Sequence, residues 1–143
     1  MRNPLGGREP ASPRANHQAS PPRLLILDDE EAILLPLARY FAQEGYAVVT
    51  SREPEEAEAL LECDTFDLVI LDLALTRFGR EGLEVLSSIR AAHPWLPVII
   101  LSANVCTDVE EEARRLGVEA VLRKPQPLDE LARVVRLLIG RKE

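Results

Sequence analysis

Five side chains able to do chemistry stand at the ends of short apolar runs. Asp28 and Asp29 follow Leu24-Leu25-Ile26-Leu27, Asp72 follows Leu68-Val69-Ile70-Leu71, and Ser102 follows Val98-Ile99-Ile100-Leu101. Lys124 follows Ala120-Val121-Leu122 after one intervening residue, Arg123. Adjacent carboxylates repel each other unless a cation sits between them. Mg²⁺ suits such a cluster: it takes oxygen ligands, keeps several waters and commonly uses one or two carboxylates together with a phosphate. A carboxylate can also act as a nucleophile toward phosphorus. A transferring phosphoryl group spreads negative charge over its equatorial oxygens, and a metal ion, an ammonium and a hydroxyl are suitable partners for them. Each residue alone has an ordinary explanation. An aspartate or serine after a strand is a turn former or a helix cap, and a lone lysine is a solvated surface charge. The set carries meaning only if the chain brings these run ends together.

The pattern between the runs predicts that it does. Five apolar runs recur, the four above and Ala47-Val48-Val49, each short enough and continuous enough for a strand buried on both faces. Helical spacing separates them. Ile33, Leu37, Tyr40 and Phe41 mark a first helix ended by Gly45, and Ala57, Leu60 and Leu61 a second with Pro54 near its first turn. Leu83, Leu86 and Ile89 mark a third stopped before Pro94. Val109, Ala113 and Leu116 mark a fourth stopped by Gly117, and Leu128, Leu131, Val135 and Leu138 a fifth stopped by Gly140. Strict strand–helix alternation with short connections implies a (βα)₅ fold: one parallel sheet with helices on both faces. Pro36 falls inside the first helix and should strain it, yet the apolar spacing continues past it. In an open sheet of this kind ligands bind beyond the carboxyl ends of the strands, where the five polar residues stand.

Composition narrows the function classes. A chain of 143 residues suits one domain with one core, and no apolar run exceeds four residues, too short to span a membrane. Residues 1–22 hold five prolines, two glycines and little that packs, and are expected to form a disordered extension without the apolar region of a secretory signal. Residues 23–141 are expected to form the folded domain. The first 23 residues carry a net charge of +3, so the remaining 120 carry −10 of the total −7. An acidic body disfavours direct binding to nucleic acid or anionic lipid. Two cysteines, Cys63 and Cys106, give no disulfide framework and no metal cluster, and read as reduced thiols of a cytoplasmic protein.

Several segments in order resemble the response-regulator receiver family of two-component signalling. Leu24-Leu25-Ile26-Leu27-Asp28-Asp29-Glu30 resembles its first strand and acidic pair, and Leu68-Val69-Ile70-Leu71-Asp72 the strand ending in the phosphoacceptor. Leu101-Ser102-Ala103 resembles its Thr/Ser-Ala step, Leu122-Arg123-Lys124-Pro125 its lysine-proline step, and Leu128-Asp129-Glu130-Leu131 the start of its last helix. The resemblance spans residues 23 to about 140. It implies a flavodoxin-like strand order 2-1-3-4-5 and a phosphoacceptor at Asp72. Mg²⁺ would be held by Asp72 and Asp29 directly, by Asp28 mostly through water, and by the backbone carbonyl of Ala74. Lys124 and Ser102 would contact the phosphoryl group, with a cis bond before Pro125. A sensor histidine kinase, a phosphotransfer protein or a small phosphodonor would supply the group. The signal would pass by contact to a downstream protein, with no direct contact to nucleic acid or membrane. Pairing of two copies is left open.

The sequence departs from the family pattern at three places. Thr76 stands where a proline is usual. The stretch Thr76-Arg77-Phe78-Gly79-Arg80-Glu81-Gly82 reads as a loop about two residues longer than usual. Val121 stands where an aromatic ring is usual, the ring that turns inward when the phosphorylated site draws in the Ser/Thr hydroxyl. Two other functions compete. A phosphatase of the haloacid-dehalogenase type also uses an aspartate nucleophile, but needs a second aspartate where Ala74 stands. A pseudo-receiver that signals without phosphorylation has the same fold, and the intact set of Asp28, Asp29, Asp72 and Lys124 argues against it.

Overall fold

The computed structural model describes residues 20–72, 79–102, 107–124 and 126–140, with the backbone alone at 79–82 and 107. Residues 1–19, Ala74, Thr76, Ala103, Cys106 and Pro125 lie outside the described residues. The elements alternate throughout: β1 (Arg23–Leu27), α1 (Glu31–Gln43), β2 (Ala47–Ser51), α2 (Pro54–Cys63), β3 (Leu68–Asp72), α3 (Gly79–Ala92), β4 (Val98–Ser102), α4 (Thr107–Arg115), β5 (Ala120–Arg123) and α5 (Leu128–Gly140). The five strands form one parallel sheet, as the alternation predicts, in the order β2-β1-β3-β4-β5, as the resemblance implies.

Alternation along each strand divides the core into two layers. Leu25 and Leu27, Val69 and Leu71, and Val98 and Ile100 face α2, α3 and α4 through Ala57, Leu61, Leu86, Ile89 and Ala113. Leu24 and Ile26, Leu68 and Ile70, and Ile99 and Leu101 face α1 and α5 through Leu34, Leu37, Phe41, Leu131 and Val135. The expectation of strands buried on both faces holds for β1, β3 and β4 but not for β2 and β5, which are only partly buried. Those two are the edges of the sheet and have a neighbour on one side only.

Local chemistry sets the helix ends. Pro54 opens α2 at its first turn, where its missing N–H costs nothing. Gly45 and Gly117 take φ of 103° and 84° after α1 and α4, the left-handed region open to glycine at little cost. Pro36 is accommodated inside α1. Its ring is exposed, as is Ala32, whose carbonyl loses its helical donor to the proline and can turn to water. The buried stripe of Leu34, Leu37 and Phe41 carries the helix through. A second expectation is corrected. Gly79–Gly82 belong to the first turn of α3 and not to a loop, so packing of Leu83, Val85, Leu86 and Ile89 extends the helix across two glycines that read as breakers.

Candidate functional site

The order of the strands reverses beside β1, which pairs with both β2 and β3. The crevice beyond the carboxyl ends at such a switch point is where an open α/β sheet receives ligands. Asp72 is the last residue of β3 and Ser102 the last of β4; both are 1% exposed. Asp28 follows β1 directly, is equally buried, and is held by its own N–H donating to the Ser51 carbonyl at 3.1 Å. Lys124 follows β5, and its N–H donates to the Ser102 carbonyl at 2.8 Å, continuing the β4–β5 ladder by one step. Parallel pairing thus delivers four run ends to one edge, and Asp29 adds a fifth group as a half-buried neighbour.

The side chains converge. Asp28, Asp29 and Asp72 each place a carboxylate oxygen within 4.8 Å of the others. The Lys124 ammonium stands 2.9 Å from Asp72 Oδ1 and 3.3 Å from Asp28 Oδ2. Each Asp28 oxygen accepts one hydrogen bond, Oδ1 from the Glu30 N–H at 2.9 Å and Oδ2 from Lys124. Asp72 Oδ1 faces the Lys124 ammonium in an ion pair at 2.9 Å, and among the described residues Oδ2 of this buried carboxylate accepts no hydrogen bond.

Burial, reinforced by the neighbouring Asp28 carboxylate and opposed by Lys124, pushes the Asp72 carboxyl up to about 7. Burial alone would lower the Lys124 ammonium, but the Asp72 and Asp28 carboxylates outweigh it and hold the group above its ordinary value. Among the described residues, the one ammonium inside the cluster leaves negative charge of the three carboxylates to be met. A buried carboxylate with an unmet oxygen among the described residues, further carboxylates within a few ångströms and no thiol or imidazole in the set fits a hard divalent cation.

Reading the strand ends in the sequence missed β2. Ser51, the last residue of β2, is buried and donates through its hydroxyl to the Glu53 carbonyl at 2.8 Å. Arg52 reaches over to the Asp29 carbonyl at 3.4 Å. The rule that found the other strand ends would have found these, had it been applied to the second apolar run. Glu110 was also missed. It is 3% exposed, and its position beside Val109 and three residues before Ala113 places it on the inner side of α4. Other marked residues fall away from the site. Trp95 precedes β4 at the opposite edge and is 62% exposed, with the His93 ring edge-on against it, and Cys63 is an exposed free thiol. The Ala74 carbonyl and the bond before Pro125 lie outside the described residues. An apolar groove lined by Ile33, Pro36, Leu37, Leu128 and Leu131 opens between α1 and α5 beside Lys124.

A five-stranded parallel sheet in this order, with an acidic cluster and a lysine at its carboxyl edge, defines a receiver domain of the kind used in two-component signalling. The family model for the response regulator receiver domain matches residues 24–136, and the chain belongs to that family. It is 40% identical over 110 residues to the alginate biosynthesis transcriptional regulatory protein AlgB of Pseudomonas aeruginosa, covering 76% of this chain and 24% of AlgB. It is 36% identical over 124 residues to the transcriptional regulatory protein PdtaR of Mycobacterium tuberculosis, covering 86% of this chain and 59% of PdtaR. The chain therefore spans between about a quarter and three fifths of these relatives. A CheY-like receiver domain from Methanospirillum hungatei superposes with a TM-score of 0.80 at 25% identity, over 85% of this chain and 96% of that one.

Proposed function

We propose that this domain accepts one phosphoryl group on Asp72. The observation that carries the reading is the Asp72 carboxylate itself: buried at the end of β3, with Oδ1 2.9 Å from the Lys124 ammonium and Oδ2 accepting no hydrogen bond among the described residues. A carboxylate oxygen of Asp72 attacks phosphorus and forms an acyl phosphate. The bond from phosphorus to the donor breaks, and its electron pair leaves with the donor, a phosphohistidine nitrogen or the carboxylate of a small acyl phosphate. Lys124 meets the charge on the phosphoryl oxygens, and the Ser102 hydroxyl at the end of β4 supplies a hydrogen-bond donor.

Mg²⁺ is the cation this donor set fits; Asp29 and Asp72 would hold it through their carboxylates and Ala74 through its carbonyl. Asp28, whose oxygens each already accept a hydrogen bond, from Glu30 and from Lys124, would act through water. When bound, the ion would neutralise the clustered carboxylates, keep Asp72 ionised and share the charge of the phosphoryl group. The donor is a sensor histidine kinase, a phosphotransfer protein or a small phosphodonor. The apolar groove beside Lys124 supports a protein donor as well as a small one. The domain signals by contact with another protein, in the cytoplasm. Its acidic body is a poor surface for nucleic acid.

Mass spectrometry after incubation with acetyl phosphate and Mg²⁺ tests the reading. One phosphoryl adduct is expected in the native chain and none in Asp72→Asn. Undiminished labelling of that variant would sink the assignment.

A further inference from the structure

Glu110 is a buried carboxylate that the site does not use. Its side chain is 4% exposed, and it meets two cations at the same oxygen: Arg123 Nη2 donates to Oε1 at 3.4 Å, and Arg114 Nη1 stands 4.0 Å away. The other oxygen, Oε2, is buried and accepts no hydrogen bond among the described residues. A buried anion met on one side only is a poor rigid support, since the unmet oxygen gains whenever the carboxylate shifts toward water or a new donor.

The partner residue stands at a sensitive place. Arg123 pairs with Ser102 across the β4–β5 ladder and immediately precedes Lys124, whose N–H bonds the Ser102 carbonyl. The Arg123 side chain leaves β5 on the same face as Val121, two residues earlier. Val121 packs in the layer of α2, α3 and α4, as does Val109, next to Glu110. A valine has few rotamers to exchange, so the ion pair is the adjustable link between α4 and the strand that ends in Lys124.

We propose that Glu110 and Arg123 form a latch through which α4 is coupled to the phosphoryl site. This rests on the phosphoacceptor reading above. Closed, the latch ties the early part of α4 to the strand end that carries Lys124. A phosphoryl group engaging Ser102 and Lys124 draws on the two backbone segments that flank Arg123, opens the pair and releases α4. The coupling is reciprocal: if site occupancy opens the latch, an opened latch favours occupancy.

The test has two arms. In the unliganded protein, a double-mutant cycle of Glu110→Gln and Arg123→Gln is followed by denaturant unfolding, with Arg123→Lys as the conservative variant. The two substitutions should be non-additive, and Arg123→Lys should restore most of the loss. Additive effects would overturn the latch whatever the site does. In the second arm, beryllofluoride with Mg²⁺ is titrated and amide exchange of residues 107–115 is measured. Glu110→Gln and Arg123→Gln should each bind the mimic about fivefold or more tightly than the native chain. Both should show faster α4 exchange without the mimic and little further change with it. Native affinity together with a native exchange response in both variants would refute the coupling. Failure of the native chain itself to bind the mimic would instead refute the phosphoacceptor reading, and with it any role for the latch in signalling.

Discussion

The Lys124 ammonium bridges two carboxylates, standing 2.9 Å from Asp72 and 3.3 Å from Asp28, so the lysine and a bound cation answer the same excess of negative charge. That competition separates two roles. Lys124→Ala removes one positive charge from the cluster and should tighten Mg²⁺ binding by a factor of about 2–10, the scale of one partly screened charge a few ångströms away. The same change removes a partner of the phosphoryl oxygens and should slow labelling by acetyl phosphate on the order of a hundredfold. Calorimetric titration and timed mass spectrometry read the two effects. A parallel loss of metal affinity and labelling would show that Lys124 supports the site only structurally.

The raised Asp72 carboxyl makes the metal-free fold sensitive to pH. The folded protein keeps this proton up to about pH 7, whereas the ordinary value of the group is 3.8. Between those values the unfolded chain binds fewer protons than the folded one, so this group's contribution to stability falls as pH rises. Asp72→Asn removes that penalty. Without Mg²⁺ it should be more stable than the native chain at pH 8 by about 1–2 kcal/mol, less than the full shift implies because Lys124 also loses its nearest anion. The difference should vanish toward pH 4. Denaturant unfolding at both pH values decides it, and an Asp72→Asn protein less stable at pH 8 than at pH 4, relative to native, would contradict the assignment of the shift.

The two members of the acidic pair should not be equivalent. Both oxygens of Asp28 are occupied by donors of the protein, the Glu30 N–H and the Lys124 ammonium. Asp29→Ala should therefore weaken Mg²⁺ binding by about tenfold or more, and Asp28→Ala by less. Calorimetry on both variants checks the order. Equal losses would place Asp28 in direct contact with the ion.

Much of this site was legible because a parallel sheet converts sequence position into spatial position. Apolar runs ending in Asp28, Asp72 and Ser102 had to end at the same edge once helices alternated with strands. What stayed hidden depends on side-chain packing that spacing does not encode. Nothing in the string says that both Asp28 oxygens accept hydrogen bonds while Asp72 Oδ2 accepts none among the described residues, because that follows from the Glu30 N–H folding back and from where Lys124 arrives. Glu110 opens a run of three glutamates, and the helix phase that turns it inward shows only against Val109 and Ala113. The glycines at 79 and 82 misled for the opposite reason, since the packing of Leu83, Val85 and Leu86 on the sheet outweighs their poor helix propensity.

The distribution of core residues bears on where a phosphorylation signal goes. Val121 packs against the core layer that lies under α2, α3 and α4. The last helix sits in the other layer, anchored by Leu131, Ala132, Val135 and Leu138 against Leu24, Ile26 and Ile99. Without a ring on β5 that can swing between two wells, a shift at Ser102 has no discrete rotamer change to carry it around the strand to α5. The response to a phosphoryl mimic should concentrate in residues 76–82 and 102–115, and leave Leu128 to Ile139 nearly unchanged. Amide exchange with and without beryllofluoride and Mg²⁺ measures this along the whole chain. A protection change over α5 as large as that over α4 would show that the two layers move together, and that a valine at this position is no barrier to the switch.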